Sequence, residues 1–71
     1  MSEDGATLKA ARKAKGLTQE QAGAALGSNK SFISNYENNR RSPGLDLLKK
    51  FAKIYGVRFV VDGGGLAFET Q

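Results

Sequence analysis

The chain has 71 residues with a net charge of +4, and it contains neither cysteine nor histidine. This length fits one small domain, and the composition excludes a disulfide framework, a thiolate site and the histidine that most metal sites and general bases use. No apolar run approaches the roughly 20 residues of a membrane span, and the N-terminus lacks the apolar core of a signal peptide. We therefore expect a cytoplasmic domain that needs no metal or cofactor, is not an enzyme and does not bind a membrane.

The positive charge is concentrated in one part of the chain. Seven lysine and arginine residues but two acidic residues lie between Lys9 and Arg41, and the remaining residues are close to neutral. A confined basic patch indicates a polyanionic partner. The alternative is a lysine-rich surface that keeps the domain soluble, and charge alone does not decide between the two.

A first helix is predicted from about Gly5 to Lys15, with Ser2 or Asp4 as its cap and Gly16 as its stop. A second helix begins after another capping signal. The sequence after Leu17 has the T-x-x-Q form of a capping box, so we expect this helix to run from Gln19 to near Leu26.

A third helix follows across a tight turn. Gly23 puts almost no side chain where this helix must cross the second one, and Gly27 reaches the left-handed conformation that a sharp turn needs. Asn29 is a good cap for a helix from Lys30 to about Glu37. Ile33 points back at the second helix, and the opposite face carries a polar stripe of Lys30, Ser31, Ser34 and Asn35. Two helices joined in this way form a helix-turn-helix.

The residues from 38 to 44 are rich in Asn, Ser, Pro and Gly and read as a loop. A fourth helix is predicted from about Leu45 to Tyr55. Leu47 and Ile54 fall outside its core-facing stripe and would be exposed in a monomer. That stripe consists of Leu45, Leu48, Phe51, Ala52 and Tyr55.

The tail changes to the two-residue period of a strand. Val57, Phe59 and Val61 alternate with an outward face that includes Val60. Residues 62–65 signal a turn, and residues 66–70 could form the returning strand of a hairpin. We therefore divide the chain into a helical domain, residues 1–56, and a β element, residues 57–71, that serves dimerisation. The interface residues would be Phe59, Val60, Val61, Leu66 and Phe68. The alternative is a single strand that lies over the fourth helix.

Several motifs occur in a fixed order between Lys9 and Val57. They are Arg12-x-x-x-Gly16-Leu17-Thr18-Gln19, then Gly23 and Gly27, then Ile33-Ser34-x-Tyr36-Glu37-Asn38, and Leu45-x-x-Leu48-x-x-Phe51-Ala52-x-x-Tyr55-Gly56-Val57. This region resembles the Cro/C1-type helix-turn-helix family, also called the xenobiotic-response-element family. The resemblance implies a mostly α, lambda-repressor-like domain of four helices, here followed by a short C-terminal β-strand or hairpin. The tail is similar to that of HipB-type antitoxins, whose C-terminal strands pair across the dimer.

The resemblance implies a sequence-specific DNA-binding transcriptional regulator. In this interpretation the protein is a repressor that binds double-stranded DNA at a pseudo-palindromic operator as a homodimer. One alternative is an antitoxin that binds a kinase-like toxin and regulates its own operon. Another is a protein-interaction module that has lost DNA binding.

Individual roles follow from the polar stripe and from the family motif. The base-contact candidates are Lys30, Ser31, Ser34 and Asn35, whose alternative role is a polar solvent face. The phosphate-contact candidates are Gln19, Asn29, Asn38, Arg40 and Arg41. For Asn38, Arg40 and Arg41 the alternative is a solvated loop. The resemblance also implies a structural salt bridge between Arg12 and Glu37.

Overall fold

A computed structural model of the protein describes residues 4–63 and 65–70. Four helices come first: α1 (Asp4–Lys15), α2 (Gln19–Ala25), α3 (Lys30–Glu37) and α4 (Leu45–Tyr55). Two strands follow, β1 (Val57–Asp62) and β2 (Gly65–Thr70), which pair as an antiparallel hairpin. The predicted mostly α fold with a C-terminal β element is confirmed. Among the described residues, no helix is long and apolar enough to cross a membrane.

The helix starts follow the predicted caps. The Thr18 hydroxyl accepts from the Gln21 backbone N–H at 3.0 Å, and the Gln21 side chain accepts from the Thr18 N–H at 2.9 Å, so the capping box is present. The Asn29 Oδ1 accepts from the Phe32 N–H at 3.0 Å and caps α3. Asp4 is the first residue of α1, and the suggested cap Ser2 lies outside the described residues. These bonds satisfy N–H groups that a helix start leaves without a partner.

Two glycines allow the helices to approach closely. A Cβ built on Gly23 would overlap the backbone of Asn29, which fixes the spacing of α2 and α3. A Cβ on Gly5 would overlap the Glu37 carbonyl, which fixes the spacing of α1 and α3. Position 27, between α2 and α3, has φ +70°, the left-handed conformation expected of the glycine in this turn.

The core lies where the four helices and β1 meet. Its fully buried apolar residues are Leu8, Ala11, Ala22, Ile33, Phe51, Tyr55 and Val57. The rings of Tyr36 and Phe51 connect α3 to α4, with 6.0 Å between their centroids, and the ring of Tyr55 packs on Phe51 within α4 at 5.6 Å. Such distances are typical of favourable aromatic pairs. The core therefore holds α3 against the rest of the domain through its inner face.

The predicted orientation of α4 is wrong at three residues. Leu45 is 69 % exposed rather than part of the core, whereas Leu47 and Ile54 are half-buried and pack against it. Leu45 is the first residue of α4, so its side chain lies beyond the end of the core. The face of α4 that packs on the core therefore includes Leu47 and Ile54. The neighbouring helices determine this orientation of α4 about its axis.

The tail forms a hairpin within one chain. The register places Phe59 opposite Phe68 and Val61 opposite Leu66. The predicted exposures of Val60 and Val61 are wrong, because Val60 is half-buried and Val61 is 76 % exposed. The face that carries Phe59 packs on the core, but its continuation at Val61 lies beyond the residues that the core covers. The predicted turn included Gly64, which lies outside the described residues.

Candidate nucleic-acid interface

The polar stripe of α3 lies opposite its buried side. Ile33 is 1 % exposed and faces the core, whereas Lys30 and Ser31 are exposed and Ser34 and Asn35 are half-buried. All four polar residues belong to one eight-residue helix, so the structure brings the base-contact candidates together on one surface. A helix of this kind fits the major groove of B-DNA, where amine, hydroxyl and amide groups meet base edges.

A buried ion pair fixes the end of α3. The Arg12 Nε donates to the Glu37 Oε2 at 2.6 Å and the Arg12 Nη2 donates to the Glu37 Oε1 at 3.2 Å, with the side chains 8 % and 3 % exposed. The Arg12 Nη1 also donates to the Leu17 carbonyl at 2.7 Å. The hydrogen bond with Glu37 raises the pKa of the Arg12 guanidinium, despite desolvation by burial. This fork joins α1, the loop before α2 and the last residue of α3.

Gln19 has a structural contact besides its predicted phosphate role. Its Nε2 donates to the Glu37 Oε1 at 3.0 Å, so the first residue of α2 is tied to the last residue of α3. Gln19 is half-buried and is the first residue of α2. The same bond therefore holds Gln19 at the edge of the candidate interface.

Two predicted contact residues bond to each other at the end of α3. The Asn38 Nδ2 donates to the Ser34 Oγ at 3.0 Å on the exposed surface. Asn29, at the other end of α3, is exposed, and its side-chain oxygen is occupied by the helix cap. For Asn29 and Asn38 the structure thus adds a local role to the predicted phosphate contact.

The loop after α3 places the two predicted arginines. The Arg40 and Arg41 backbone N–H groups donate to the Asn35 carbonyl at 2.9 and 3.3 Å, and both residues are exposed. Asn39, between α3 and these arginines, has φ +61°, and its Oδ1 accepts from the Gly5 N–H at 2.9 Å. Asn39 was not among the site residues predicted from the sequence. The sequence signal for its left-handed conformation was an asparagine in a loop, because asparagine tolerates this conformation better than most residues.

A basic concavity of about 720 Å³ borders the start of α2. Lys9 and Lys13, four residues apart on α1, line it together with Lys30 at the start of α3. Its remaining lining residues are Arg12, Gly16, Leu17, Thr18, Gln19 and Glu20. The contact candidates chosen from the sequence did not include Lys9 or Lys13, although their spacing puts them on one face of α1. Cations from α1 therefore extend the surface that α3 presents.

The predicted dimerisation residues lie in the C-terminal hairpin. Phe59 and Phe68 are half-buried and pack against the core, and Leu66 and Val60 are half-buried as well. Val61 is the exposed member of this group. Within residues 4–63 and 65–70, no cluster of three or more histidine, cysteine or carboxylate side chains is placed to hold a metal ion.

Comparison with known proteins identifies a family and two relatives. A family model described as helix-turn-helix matches residues 8–61. The chain is 40 % identical over 53 residues to the HTH-type transcriptional regulator ImmR of Bacillus subtilis, which is 75 % of this chain and 42 % of that protein. It is 36 % identical over 56 residues to an uncharacterized HTH-type transcriptional regulator, y4dJ, of Sinorhizobium fredii, which is 79 % of this chain and 73 % of that protein. The chain thus spans less than half of the first relative and about three quarters of the second.

Proposed function

Because this chain belongs to the helix-turn-helix family, a family of DNA-binding transcriptional regulators, we propose that it is a repressor that binds a pseudo-palindromic operator as a homodimer. In this proposal the protein acts by occupying promoter DNA, and it needs neither a metal nor a cofactor. No catalytic step is involved.

The observation that carries this proposal is the fixed polar face of α3. Ile33 anchors the inner side of the helix, and the Arg12–Glu37 pair anchors its last residue. Because α3 is fixed within the domain at Ile33 and at Glu37, its outer side chains keep their relative positions when the helix enters a groove of DNA. A site that is organised before binding avoids the free-energy cost of ordering it.

The side chains on this face match the chemistry of base edges. Lys30 suits the O6 and N7 acceptors of guanine, and Asn35 suits the N6 donor and N7 acceptor of adenine. Ser31 and Ser34 donate or accept and are therefore more permissive. A good bidentate contact discriminates against the wrong base by about 1–3 kcal/mol.

Contacts with phosphate supply the sequence-independent part of binding. We place this role on the basic concavity with Lys9 and Lys13, and on Gln19 and Asn29 at the helix starts. Asn38, Arg40 and Arg41, which follow α3, would contact phosphates of the DNA backbone beyond the other end of this helix. Each neutralised phosphate releases counterions, so the affinity falls as salt is raised.

Two copies of the domain would read two half-sites. Recognition helices of a helix-turn-helix dimer enter successive major grooves about 34 Å, or about 10 base pairs, apart. The helical end of each copy would contact DNA, and the hairpin end, with Phe59, Val60, Val61, Leu66 and Phe68, would join the copies. A homodimer with these separate surfaces for DNA and for its partner would bind an operator with two symmetric half-sites.

Selection of bound duplexes from a randomised DNA pool tests the proposal. The wild-type protein should enrich an inverted repeat whose half-site centres are about 10 base pairs apart. A variant with Lys30→Ala, Ser31→Ala and Asn35→Ala is the control, since these outward substitutions leave the core unchanged. It should remain folded by circular dichroism and enrich no repeat. If the folded wild-type protein enriches no sequence, DNA reading is contradicted, and an antitoxin that holds a kinase-like toxin becomes the better account.

A further inference from the structure

A side-chain hydrogen bond joins the outer face of α3 to the residue that follows this helix. The Asn38 Nδ2 donates to the Ser34 Oγ at 3.0 Å, across the four-residue spacing that brings side chains together on a helix. Ser34 belongs to the polar stripe opposite Ile33, and Asn38 is the C-cap of α3. The bond therefore lies on the surface that would face DNA.

The backbone at Asn38 is held from both sides. Glu37, the residue before it, forms the buried ion pair with Arg12 of α1. Asn39, the residue after it, accepts from the Gly5 N–H of α1 through its Oδ1 at 2.9 Å. Because both neighbours are bonded to α1, the Asn38 side chain extends from a fixed backbone. Its hydrogen bond on α3 therefore costs less conformational entropy than a bond between two mobile surface residues.

The direction of this bond determines what Ser34 offers to a ligand. A serine hydroxyl has one proton to donate and two lone pairs that accept. Asn38 occupies one lone pair, and within residues 4–63 and 65–70 no group accepts the Ser34 hydroxyl proton. A hydroxyl that accepts a hydrogen bond is polarised by it and donates more strongly. Ser34 is therefore prepared to donate its proton to a group outside the chain.

We infer that Asn38 is a positioning residue that makes Ser34 a hydrogen-bond donor to a base. In the major groove, guanine presents the acceptors O6 and N7 and thymine presents the acceptor O4, whereas cytosine presents the N4 donor and adenine the N6 donor beside its N7. A donating Ser34 favours guanine or thymine at its operator position. The inference rests on the proposed function for its claim that α3 enters the major groove, and it adds the residue that determines how one serine reads a base.

Ser31 provides a comparison on the same helix. It is exposed on the polar stripe, and its hydroxyl makes no hydrogen bond within the part of the chain that the structure describes. It can donate or accept, so it should discriminate less between bases than Ser34 does. The Asn38 amide keeps a second N–H and its oxygen, so the phosphate contact proposed for Asn38 is compatible with its bond to Ser34.

Asn38→Asp tests the direction of the bond, because a carboxylate accepts and does not donate. In this variant the Ser34 proton is directed to the carboxylate, and the hydroxyl oxygen presents its lone pairs to DNA. Selection from a randomised pool should then change one operator position from guanine or thymine to adenine or cytosine, the bases with an amino group in the major groove. Titrations of duplexes that differ at this position should show a preference of about two- to tenfold, reversed between the two proteins.

Two further variants separate this reversal from the effect of the added negative charge. The charge repels phosphates and so weakens binding to every duplex. Ser34→Ala should lose the preference at the one position and keep the others. The double variant Ser34→Ala, Asn38→Asp should bind all duplexes more weakly than Ser34→Ala by a common factor, with no preference at that position. Circular dichroism checks that each variant is folded.

The outcomes distinguish this inference from the proposed function. If the wild type enriches a defined duplex and Asn38→Asp keeps every base preference, the role of Asn38 is contradicted and DNA reading stands. A Ser34→Ala protein with the base preferences of the wild type would also overturn the inference. If the folded wild type enriches no duplex, the proposed function fails, and the inference that rests on it fails as well.

Discussion

The helical domain and the hairpin each contain an arginine–glutamate pair, and both pairs have the same nitrogen–oxygen distance of 2.6 Å. The side chains of Arg12 and Glu37 are 8 % and 3 % exposed, whereas those of Arg58 and Glu69 are 66 % and 57 % exposed. Water screens the second pair and not the first. Equal distances therefore describe one bond that holds the domain together and one that adds little to its stability.

The same contrast extends to the surfaces that these pairs support. At the helical end, the buried pair and the close approach at Gly23 fix a polar face. At the hairpin, Val61 is 76 % exposed and lines an apolar groove together with Leu45, which is 69 % exposed. A rigid polar face suits recognition of a defined ligand, and an exposed apolar groove suits contact with another apolar surface.

The largest expected effect is the loss of the buried pair. Glu37→Ala leaves the Arg12 guanidinium buried without its partner and removes the acceptor of the Gln19 amide. We expect the free energy of unfolding to fall by about 3–5 kcal/mol in urea titrations. The matched change at the other end, Glu69→Ala, should cost at most about 1 kcal/mol. Equal losses for the two variants would contradict the contrast.

The next effect concerns backbone spacing. Gly23→Ala places a methyl group against the Asn29 backbone, so α2 and α3 must move apart. We expect a loss of about 1–3 kcal/mol in the free energy of unfolding. Gly63→Ala, in the hairpin turn, meets no atom within 4 Å and should change stability by at most about 0.5 kcal/mol. A Gly23→Ala protein as stable as the wild type would show that the helices separate without cost.

Asn35→Ala tests the polar face without disturbing the fold. Affinity should fall by about 1–3 kcal/mol for duplexes with the preferred base at one operator position, and discrimination at that position should be lost. Arg40→Ala is the control, because loss of a phosphate contact weakens all duplexes alike and makes the salt slope shallower by about one unit. Competition titrations with DNA duplexes measure the base discrimination, and repeating them at several salt concentrations gives the salt slope. Uniform weakening by Asn35→Ala would remove that residue from base reading.

The smallest effect concerns Tyr55, the last residue of α4. Its hydroxyl is buried and has no hydrogen-bond partner among the described residues, and burial raises the pKa of the phenol above its ordinary value of 10.0. Tyr55→Phe should therefore increase the free energy of unfolding by about 1 kcal/mol at neutral pH.

The raised pKa of Tyr55 also predicts a dependence on pH. A group whose folded-state pKa is raised stabilises the fold below its unfolded-state pKa, and this stability is lost as the pH rises through the folded-state value. Wild-type stability should therefore decline above about pH 10, and Tyr55→Phe should decline less over the same range. Parallel declines in urea titrations would show that Tyr55 does not titrate as its burial requires.

The helix boundaries could be predicted because their signals are local. Thr18, Gln21 and Asn29 cap helices with bonds that span three residues, and such bonds depend on sequence spacing alone. The polar stripe of α3 follows from helical periodicity in the same way. These features are independent of how the helices pack.

The orientation of α4 could not be obtained from its own sequence. Leu45, Leu47 and Ile54 are all apolar, so periodicity permits several contact faces, and the neighbouring helices decide which one is buried. The exposure of Val61 likewise depends on where the core ends. The contact of Asn39 with Gly5 joins residues 34 positions apart and required the path of the loop after α3. The base and phosphate roles remain predictions, because DNA contacts are a property of the complex.

The most direct test of the central claim, that the outer face of α3 reads sequence, is a salt series with two duplexes of equal length. One duplex carries the selected operator and the other a scrambled sequence. We predict that the operator binds more tightly by a factor of about 10³–10⁷ near physiological salt, because base contacts add to the phosphate contacts that both duplexes share. Coincident affinities at every salt concentration would show that the protein recognises charge and not sequence, and would contradict the account.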